Sequence, residues 1–304
     1  MFTVSYALFP IFGLIVLGQL LRKFQFPGDA FWPLAARLTY FVFFPALLTR
    51  TVALADLQNL ALLPMMAALA TSVLALSLIV LAGKPLLPVD NPGFTSLFQG
   101  SIRHNTYVGL AAAAALLGST GLTLSAVALV TLIPLVNLLS VMALTRFGRQ
   151  GRAGWAHMVR PVVTNPLILA CLVGALLNLS GVGLPFITDE LLNLLGRAAL
   201  PIGLLVVGAG LDLALLRTAL SPIFIASGFK LMLFPVLTAL FCAAFGLAGQ
   251  VVTTFVIFTA LPCAPSAYIL AMELGGDSRL MAAILTGQTI LAALTMPLMI
   301  IWLG

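Results

Sequence analysis

The chain has 304 residues, of which 62% are apolar and only 7% are charged, with a net charge of +6. Soluble globular proteins are roughly half apolar and about a quarter charged, so the composition excludes an ordinary soluble protein and predicts an integral membrane protein. The three cysteines, Cys171, Cys242 and Cys263, all lie in apolar segments, which favours small buried residues over a disulfide framework.

Apolar windows of about 20 residues, the length that crosses the hydrocarbon core, recur along the chain with short polar gaps. Ten such spans are predicted, near residues 4–21, 31–50, 60–83, 93–117, 122–145, 162–180, 190–211, 219–246, 250–274 and 279–302. They leave almost no chain for a soluble domain. No basic segment precedes the first span and no small-residue cleavage site follows it, so we expect this span to be retained.

Basic residues fall mostly in the connections that join an odd-numbered span to the next even-numbered one. These connections hold Arg22, Lys23, Lys84, Arg146, Arg149, Arg152, Arg160, Arg217 and Arg279. The opposite face has only Arg50. Because Lys and Arg in short loops mark the cytoplasmic side, both termini are expected outside the cytoplasm. The basic segment between Arg146 and Arg160, which includes His157, is interpreted as an orientation signal and linker, not as a nucleic-acid site.

The two halves of the chain resemble each other in the spacing of their prolines and glycines and of one aspartate. A shift of 156 residues pairs Pro10 with Pro166, Gly18 with Gly174, Pro45 with Pro201 and Asp56 with Asp212, and a shift of 158 pairs Pro64 with Pro222 and Gly118 with Gly276. Five spans per repeat is an odd number, so the second repeat enters the membrane from the opposite side, as in many secondary transporters. The predicted domains are a first repeat (1–146), a basic cytoplasmic linker (147–160) and a second, inverted repeat (161–304).

The fourth and ninth spans are both interrupted near their centres. The fourth becomes polar at Arg103 to Thr106, and the ninth contains Pro262 and Pro265, which remove amide donors and clash with preceding carbonyls. Irregular backbone at this depth persists only when it is buried in protein or lines a watery cavity. Matched interruptions favour a binding site at the midplane. The alternative is that the prolines only kink a helix and that Arg103 is paired with an acid.

Four stretches of the sequence resemble the auxin efflux carrier family, which includes plant auxin transporters and bacterial permeases for organic anions such as malonate. They are "RHNTYVGL", "NPLILACLVGALLN", "LGRAALPIGLLVVGAGLDL" and "TALPCAPSAYILAMELGGD". The resemblance implies an all-α fold of ten transmembrane helices in two inverted five-helix repeats, similar to the bile acid and sodium symporters, with helices 4 and 9 broken and crossing at the midplane. Asn105 matches the asparagine of the first crossover and Pro262 the proline of the second. Bacterial relatives often have a proline where this chain has Ala111, which leaves the unwinding of helix 4 to Asn105, Thr106 and Gly109.

The chemistry of the interruptions suits an anion, because a half-helix begins with free amide donors and a partial positive charge. Asn105, Thr106 and Ser266 stand where such half-helices can begin. Arg103 adds a charge whose planar fork matches a carboxylate. The predicted substrate-binding residues are Arg103, His104, Asn105, Thr106, Pro262, Cys263, Ala264, Pro265 and Ser266.

Other polar residues in the spans have weaker assignments. Asn137 and Gln288 are predicted to support the site or an ion site, with a hydrogen bond between helices as the equal alternative. His104 is expected to be a hydrogen-bonded neutral residue, and a proton-carrying role is the alternative. The acids Asp56, Asp212, Glu273 and Asp277 are expected in turns, caps or solvated helix ends.

The predicted function is a secondary transporter or facilitator that moves a small organic anion, a carboxylate, by alternating access. The alternatives are a sodium- or proton-coupled symporter of a larger amphipathic acid, and a membrane sensor that binds such a ligand without moving it. The sequence has no catalytic motif of the H-E-x-x-H, G-x-S-x-G or Walker A type, so an enzyme is not expected. No cofactor or metal is expected, and the coupling ion, H⁺ or Na⁺, is left open. The expected partners are the anion, the bilayer of the inner membrane and, from the resemblance, a second copy of the chain, but no nucleic acid.

Overall fold

A computed structural model describes residues 2–55, 60–149, 160 and 163–304, and this part of the chain contains helices and connections but no strand. The α-helices are α1 (Phe2–Lys23), α2 (Phe31–Leu38), α3 (Phe44–Ala53), α4 (Leu62–Gly83), α5 (Asn91–Ile102), α6 (Thr106–Phe147), α7 (Pro166–Leu179), α8 (Phe186–Ala209), α9 (Leu220–Ser227), α10 (Phe234–Ala244), α11 (Gln250–Thr259), α12 (Ser266–Glu273) and α13 (Ser278–Leu303). Two π-helical turns join α2 to α3 (Thr39–Phe43) and α9 to α10 (Gly228–Leu233), and 3₁₀ turns lie at Lys84–Leu86 and Leu213–Thr218.

Most of these helices are long and apolar enough for a bilayer. Within the described residues, seven helical stretches meet the length and hydropathy of a membrane span, and α7 and α11 are shorter apolar helices. One stretch, Asn91–Phe147, is 57 residues long because it includes both α5 and α6. The chain is therefore a multi-pass, all-helical membrane protein.

The long helix α6 is broken at Gly118. Its 42 residues would extend about 63 Å if straight, twice the roughly 30 Å of the hydrocarbon core. Gly118 has φ 59° and ψ −137°, a conformation that glycine adopts without a steric penalty. The predicted boundary between the fourth and fifth spans falls at this residue.

The helices pack in two groups. In the first group α1 packs against α8, and α3 packs against both α7 and α8. Glycines permit this, because a Cβ at Gly18 would lie 2.1 Å from the Leu205 carbonyl oxygen and one at Gly208 would lie 1.8 Å from that of Ile15. In the second group α4 packs against α6 and α10, α6 against α5 and α11, and α13 against α5, α9 and α11.

The connections meet at two opposite ends of the bundle. At one end the Arg149 amide donates to the Gly275 carbonyl (2.9 Å) and the Asp277 amide to the Pro92 carbonyl (3.3 Å). At the other end the Asn178 side chain donates to the carbonyl of Ala53, the last residue of α3, at 3.0 Å and to that of Ala55 at 2.7 Å. The odd-to-even connections near residues 92, 149 and 276 therefore lie together, as the predicted topology requires.

The predicted capping acids, the basic linker and the cysteines can be compared with the structure. Asp212 accepts a hydrogen bond from the Ala214 amide (3.1 Å) at the start of a 3₁₀ turn, which confirms its capping role. Asp56 and most of the basic linker, with His157, lie outside the described residues. The three cysteines are free and buried, as expected.

Candidate substrate site

The first interruption separates α5 from α6. Arg103 has an extended backbone (ψ 147°), and Asn105 caps α6 by accepting hydrogen bonds from the amides of Tyr107 (3.1 Å) and Val108 (3.4 Å). Ala111 lies inside α6. Asn105 therefore starts the new helix without a proline.

The unwinding expected from Thr106 and Gly109 does not occur at these residues. Thr106 and Gly109 are both helical. A Cβ at Gly109 would lie 2.7 Å from the Leu261 side chain and 3.1 Å from the Phe258 ring. Gly109 thus allows α6 to approach the second interruption closely, which corrects the expectation that it unwinds the helix.

The second interruption covers residues 260–265, between the last residue of α11, Thr259, and the first of α12, Ser266. Pro262 and Pro265 both lie in this non-helical stretch. The Asn105 amide donates to the Pro262 carbonyl oxygen at 2.9 Å. The two interruptions therefore contact each other directly through backbone atoms.

Gln288 of α13 links the two broken helices by hydrogen bonds at the point where the two interruptions cross. Its side-chain oxygen accepts from the Cys263 amide (2.9 Å), and its side-chain nitrogen donates to the Gly100 carbonyl (2.9 Å). Gln288 is fully buried. Asn137, by contrast, is half-buried in α6 and takes part in none of the hydrogen bonds described for this chain. The structure thus brings Gln288 to the predicted site, and the role of Asn137 stays a prediction.

Arg103 is buried at the crossing, with 8% of its surface exposed. Its Nη2 donates to the Ser266 hydroxyl at 3.0 Å, whereas its Nη1 has no partner within the described residues. The ion pair described for this chain joins Arg50 to Asp189 (2.7 Å). The alternative of an acid paired with Arg103 therefore finds no support in the described part of the chain.

His104 is also buried, and neither ring nitrogen has a hydrogen-bond partner within the described residues. Its ring lies 6.0 Å from that of Phe258. The expectation of a hydrogen-bonded histidine is therefore not met. Asn105 likewise keeps its side-chain nitrogen unpartnered there. Because buried polar groups nearly always have partners, three neighbouring groups without one are typical of a site that receives a ligand.

Two buried polar residues near the crossing were not among the site residues predicted from the sequence. Lys230 is fully buried in a π-helical turn, and its Nζ donates to the Thr259 carbonyl at 3.0 Å. Gln99 of α5 is fully buried, with neither side-chain polar atom partnered among the described residues. The signal for Lys230 was a single charge within the eighth apolar span, where an ionisable residue is functional by default.

A cavity of about 490 Å³ lies between α3, α6 and α8. Its lining combines Arg50 and Arg197 with Ser119, Thr120 and Asn193, and leucines complete the walls. None of the predicted substrate residues lines it. Leu47 of its wall lies one turn after Phe44, whose ring stacks on Tyr107 with centroids 4.6 Å apart. This stack connects the cavity wall to the start of α6 at the crossing.

The acids of the ninth and tenth spans lie at helix ends. Glu273 is the exposed last residue of α12. Asp277 caps α13 by accepting from the Leu280 amide at 2.9 Å. Neither therefore serves as a counter-charge at the crossing, in agreement with the preferred interpretation.

Residues 156–300 match a family model described as a membrane transport protein. The matched region contains the second interruption, Lys230 and Gln288, whereas the first interruption lies outside it. No curated protein matches the chain.

Proposed function

We propose that the chain, whose residues 156–300 match a family of membrane transport proteins, is a carrier of the auxin efflux type. It moves a small organic anion, a carboxylate, across the membrane by alternating access. The crossing of the two interruptions is the proposed substrate site. The carrier is proposed to lie in the inner membrane with both termini outside the cytoplasm, as a homodimer.

The observation that carries this proposal is the buried guanidinium of Arg103. It has one unpartnered nitrogen and makes no ion pair within the described residues. A buried charge without a counter-charge is costly. A substrate carboxylate would supply both the missing charge and the missing hydrogen-bond acceptor, and the planar fork of arginine suits its two oxygens.

The half-helices add to the attraction. α6 begins after Asn105 and α12 begins at Ser266, and both starts lie beside Arg103 or its hydrogen-bond partner. The partial positive charge at a helix start favours an anion. In discontinuous-helix transporters, the half-helix starts point at the anionic group of the substrate.

We further propose that the thirteen α-helices of the described residues form ten spans in two inverted repeats, 1–146 and 161–304, joined by the linker 147–160 in a bile-acid-symporter-like fold. Reciprocal packing supports this: α1 of the first repeat packs on α8 of the second, and α3 of the first packs on α7 of the second. The two interruptions fall in the fourth and ninth spans, which are equivalent in such repeats.

The cavity between α3, α6 and α8 suggests the kind of acid. Arg197 of its lining suits a carboxylate and its leucine walls suit an apolar portion, whereas Arg50 is already paired with Asp189. We propose that it is the entry vestibule and that the Phe44 and Tyr107 rings separate it from the crossing.

The test is the uptake of radiolabelled malonate, acetate and benzoate by vesicles that contain the purified protein. Wild-type protein is expected to move at least one acid faster than empty vesicles, and Arg103→Gln is expected to lose that uptake. Arg37→Gln, at an exposed arginine of α2, is the matched control and should transport normally. Binding of an acid without uptake would indicate a sensor, and the absence of both would refute the proposal.

A further inference from the structure

Two basic side chains meet over one aromatic ring at the end of the bundle that holds the odd-to-even connections. Lys84 begins the 3₁₀ turn after α4, and Arg146 lies in the last turn of α6. The Lys84 Nζ is 4.9 Å and the Arg146 Cζ is 5.3 Å from the centroid of the Phe147 ring. Both are cation–π distances. The Phe147 ring thus brings two positive charges together.

A second ring holds Lys84 from another side. Phe94 of α5 is fully buried, and its centroid is 5.5 Å from the Lys84 Nζ. Its ring meets that of Phe147 edge to face, with centroids 5.2 Å apart. Because α4, α5 and α6 all pack against one another, three helices fix the position of the lysine.

Neither cation has an acidic partner. Lys84 and Arg146 make no ion pair and no side-chain hydrogen bond within the described residues. Asp90, the acid nearest to Lys84 in sequence, is exposed and caps α5 by accepting from the Gly93 amide at 2.8 Å. The ammonium and guanidinium groups therefore keep their hydrogen-bond donors for an acceptor outside the described chain.

Each cation stands at the end of an exposed apolar row. The rows are Leu74, Leu78 and Leu81 on α4, and Leu138 and Met142 on α6. Spacings of three and four residues place the members of a row on one helix face, with Lys84 and Arg146 one turn further along. An apolar row that ends in a cation matches a phospholipid, whose acyl chains are apolar and whose phosphate is anionic.

We propose that Lys84 and Arg146 form a binding site for the phosphate of an anionic phospholipid, whose acyl chains lie along the exposed rows of α4 and α6. In the proposed orientation this end of the bundle faces the cytoplasm, and the cytoplasmic leaflet carries the anionic lipids. Arginine binds phosphate through its planar fork and lysine as a point charge. Because the site exists only in the folded chain, the bound lipid stabilises the protein.

The first experiment compares two lipids on the wild-type protein. Native mass spectrometry measures binding to purified protein in detergent that contains equal amounts of phosphatidylglycerol and phosphatidylcholine with the same acyl chains. Phosphatidylglycerol should be bound at least about tenfold more than phosphatidylcholine, since each basic residue adds to the attraction for an anionic lipid. Equal binding of the two lipids would overturn the proposal.

A competition with inorganic phosphate identifies the source of the phosphate group. An excess of inorganic phosphate over phosphatidylglycerol should leave the bound lipid in place, because a free phosphate has no acyl chains to bury. Displacement of the lipid would show that the site takes a free phosphate, and would overturn the assignment to a lipid.

The second experiment removes the two charges. Lys84→Gln with Arg146→Gln should lower the preference for phosphatidylglycerol at least about fivefold. The matched control is Lys23→Gln with Arg217→Gln, because both residues are exposed, belong to odd-to-even connections and lie over no aromatic ring among the described residues. The control should stay within about twofold of wild type. Equal losses in the two double variants would assign the preference to general surface charge and overturn the site.

A charge-preserving variant separates lipid binding from folding. Lys84→Arg with Arg146→Lys keeps both positive charges beside Phe147, so it should keep the preference for phosphatidylglycerol within about threefold. A thermal melt in phosphatidylcholine shows that each variant is folded. Loss of the preference in the folded charge-preserving variant, or its retention in the folded glutamine variant, would contradict a site built on these two charges.

Discussion

Single residues decide how the crossing holds an anion, and Arg103 is the first to test. Arg103→Lys keeps the charge but loses the planar fork, while Arg103→Gln keeps donors but loses the charge. A charge-assisted hydrogen bond contributes about 1.5 to 3 kcal/mol, so both variants should weaken substrate binding about ten- to a hundredfold. Equilibrium binding to the purified protein measures this.

The control for Arg103 is a thermal melt of the same samples. Its buried guanidinium bonds to Ser266 across the two interruptions, so a small change in melting temperature is compatible with a binding role. If Arg103→Gln binds the acid normally and melts much earlier, the arginine is structural and the half-helix starts alone form the anion site.

Asn105 permits a closely matched comparison of two caps. Asn105 and Asn165 each accept hydrogen bonds from two amides at the start of a helix, α6 and α7 respectively. Replacing either by Ala should lower the free energy of unfolding by about 1 kcal/mol. Only Asn105→Ala is expected to reduce uptake, because only that cap lies at the crossing.

The comparison of the two caps rests on two measurements, chemical or thermal unfolding and vesicle uptake. Equal losses of uptake in Asn105→Ala and Asn165→Ala would show that capping matters only for stability. Normal uptake in Asn105→Ala would remove Asn105 from the substrate site.

The sequence located Arg103 and Asn105 because they interrupt an apolar span with several polar side chains at once. Lys230 has no polar side chains beside it in the sequence, since its neighbours in "GFKLMLFP" are apolar apart from glycine. Its partner is a backbone carbonyl 29 residues away, and a backbone partner leaves no trace in the sequence. Contacts of this kind require coordinates.

At the scale of helices, the two interruptions have different causes. The first begins with a capping asparagine, and the second coincides with two prolines. Replacing Pro262 and Pro265 together by alanine restores two amide donors and removes the ring clashes, so α11 and α12 should tend to join. Uptake should fall at least about tenfold, measured in vesicles that contain equal amounts of protein.

The matched control is the double variant Pro134→Ala with Pro297→Ala. These prolines lie inside α6 and α13, where the helix continues past them, so they act as kinks. Their removal should leave uptake within about twofold of wild type. If the Pro262 and Pro265 variant transports equally well, those prolines are kinks too.

The sequence predicted the break in the ninth span but not the π-helical turns in two other spans. The predicted ninth span, 250–274, is two helices separated by six non-helical residues, as the prolines indicated. The second and eighth predicted spans contain π-helical turns, which no hydropathy window detects. Such a turn adds one residue locally and changes which side chains face the neighbours.

The class of the whole molecule, a multi-pass membrane protein, is predicted more securely by its composition than by any motif. The excess of apolar residues predicted a multi-pass membrane protein, and the described helices agree. The inverted relation of the halves stays a proposal, because it depends on which way each span crosses. Two bundle ends are evident, however: the connections near residues 92, 149 and 276 meet at one, and those near 54 and 178 at the other.

Thiol labelling in intact cells assigns these ends to sides of the membrane. Lys and Arg concentrate in the odd-to-even connections, which the positive-inside rule places in the cytoplasm. A cysteine at Gly151, in the basic linker, should therefore resist an impermeant thiol reagent. Ser180→Cys, in the exposed connection after α7, and a cysteine added after Gly304 should both react.

The background for this labelling is low, because Cys171, Cys242 and Cys263 are all buried, with at most 3% exposed. Permeabilised cells provide the positive control for Gly151→Cys, which should then become labelled. The reverse pattern, with Gly151→Cys labelled in intact cells and Ser180→Cys protected, would invert the orientation. The cavity between α3, α6 and α8 lies at the same end of the bundle as the Ser180 connection. The reverse labelling pattern would therefore also place the proposed entry vestibule on the cytoplasmic side. The same anion site would then be loaded from inside the cell.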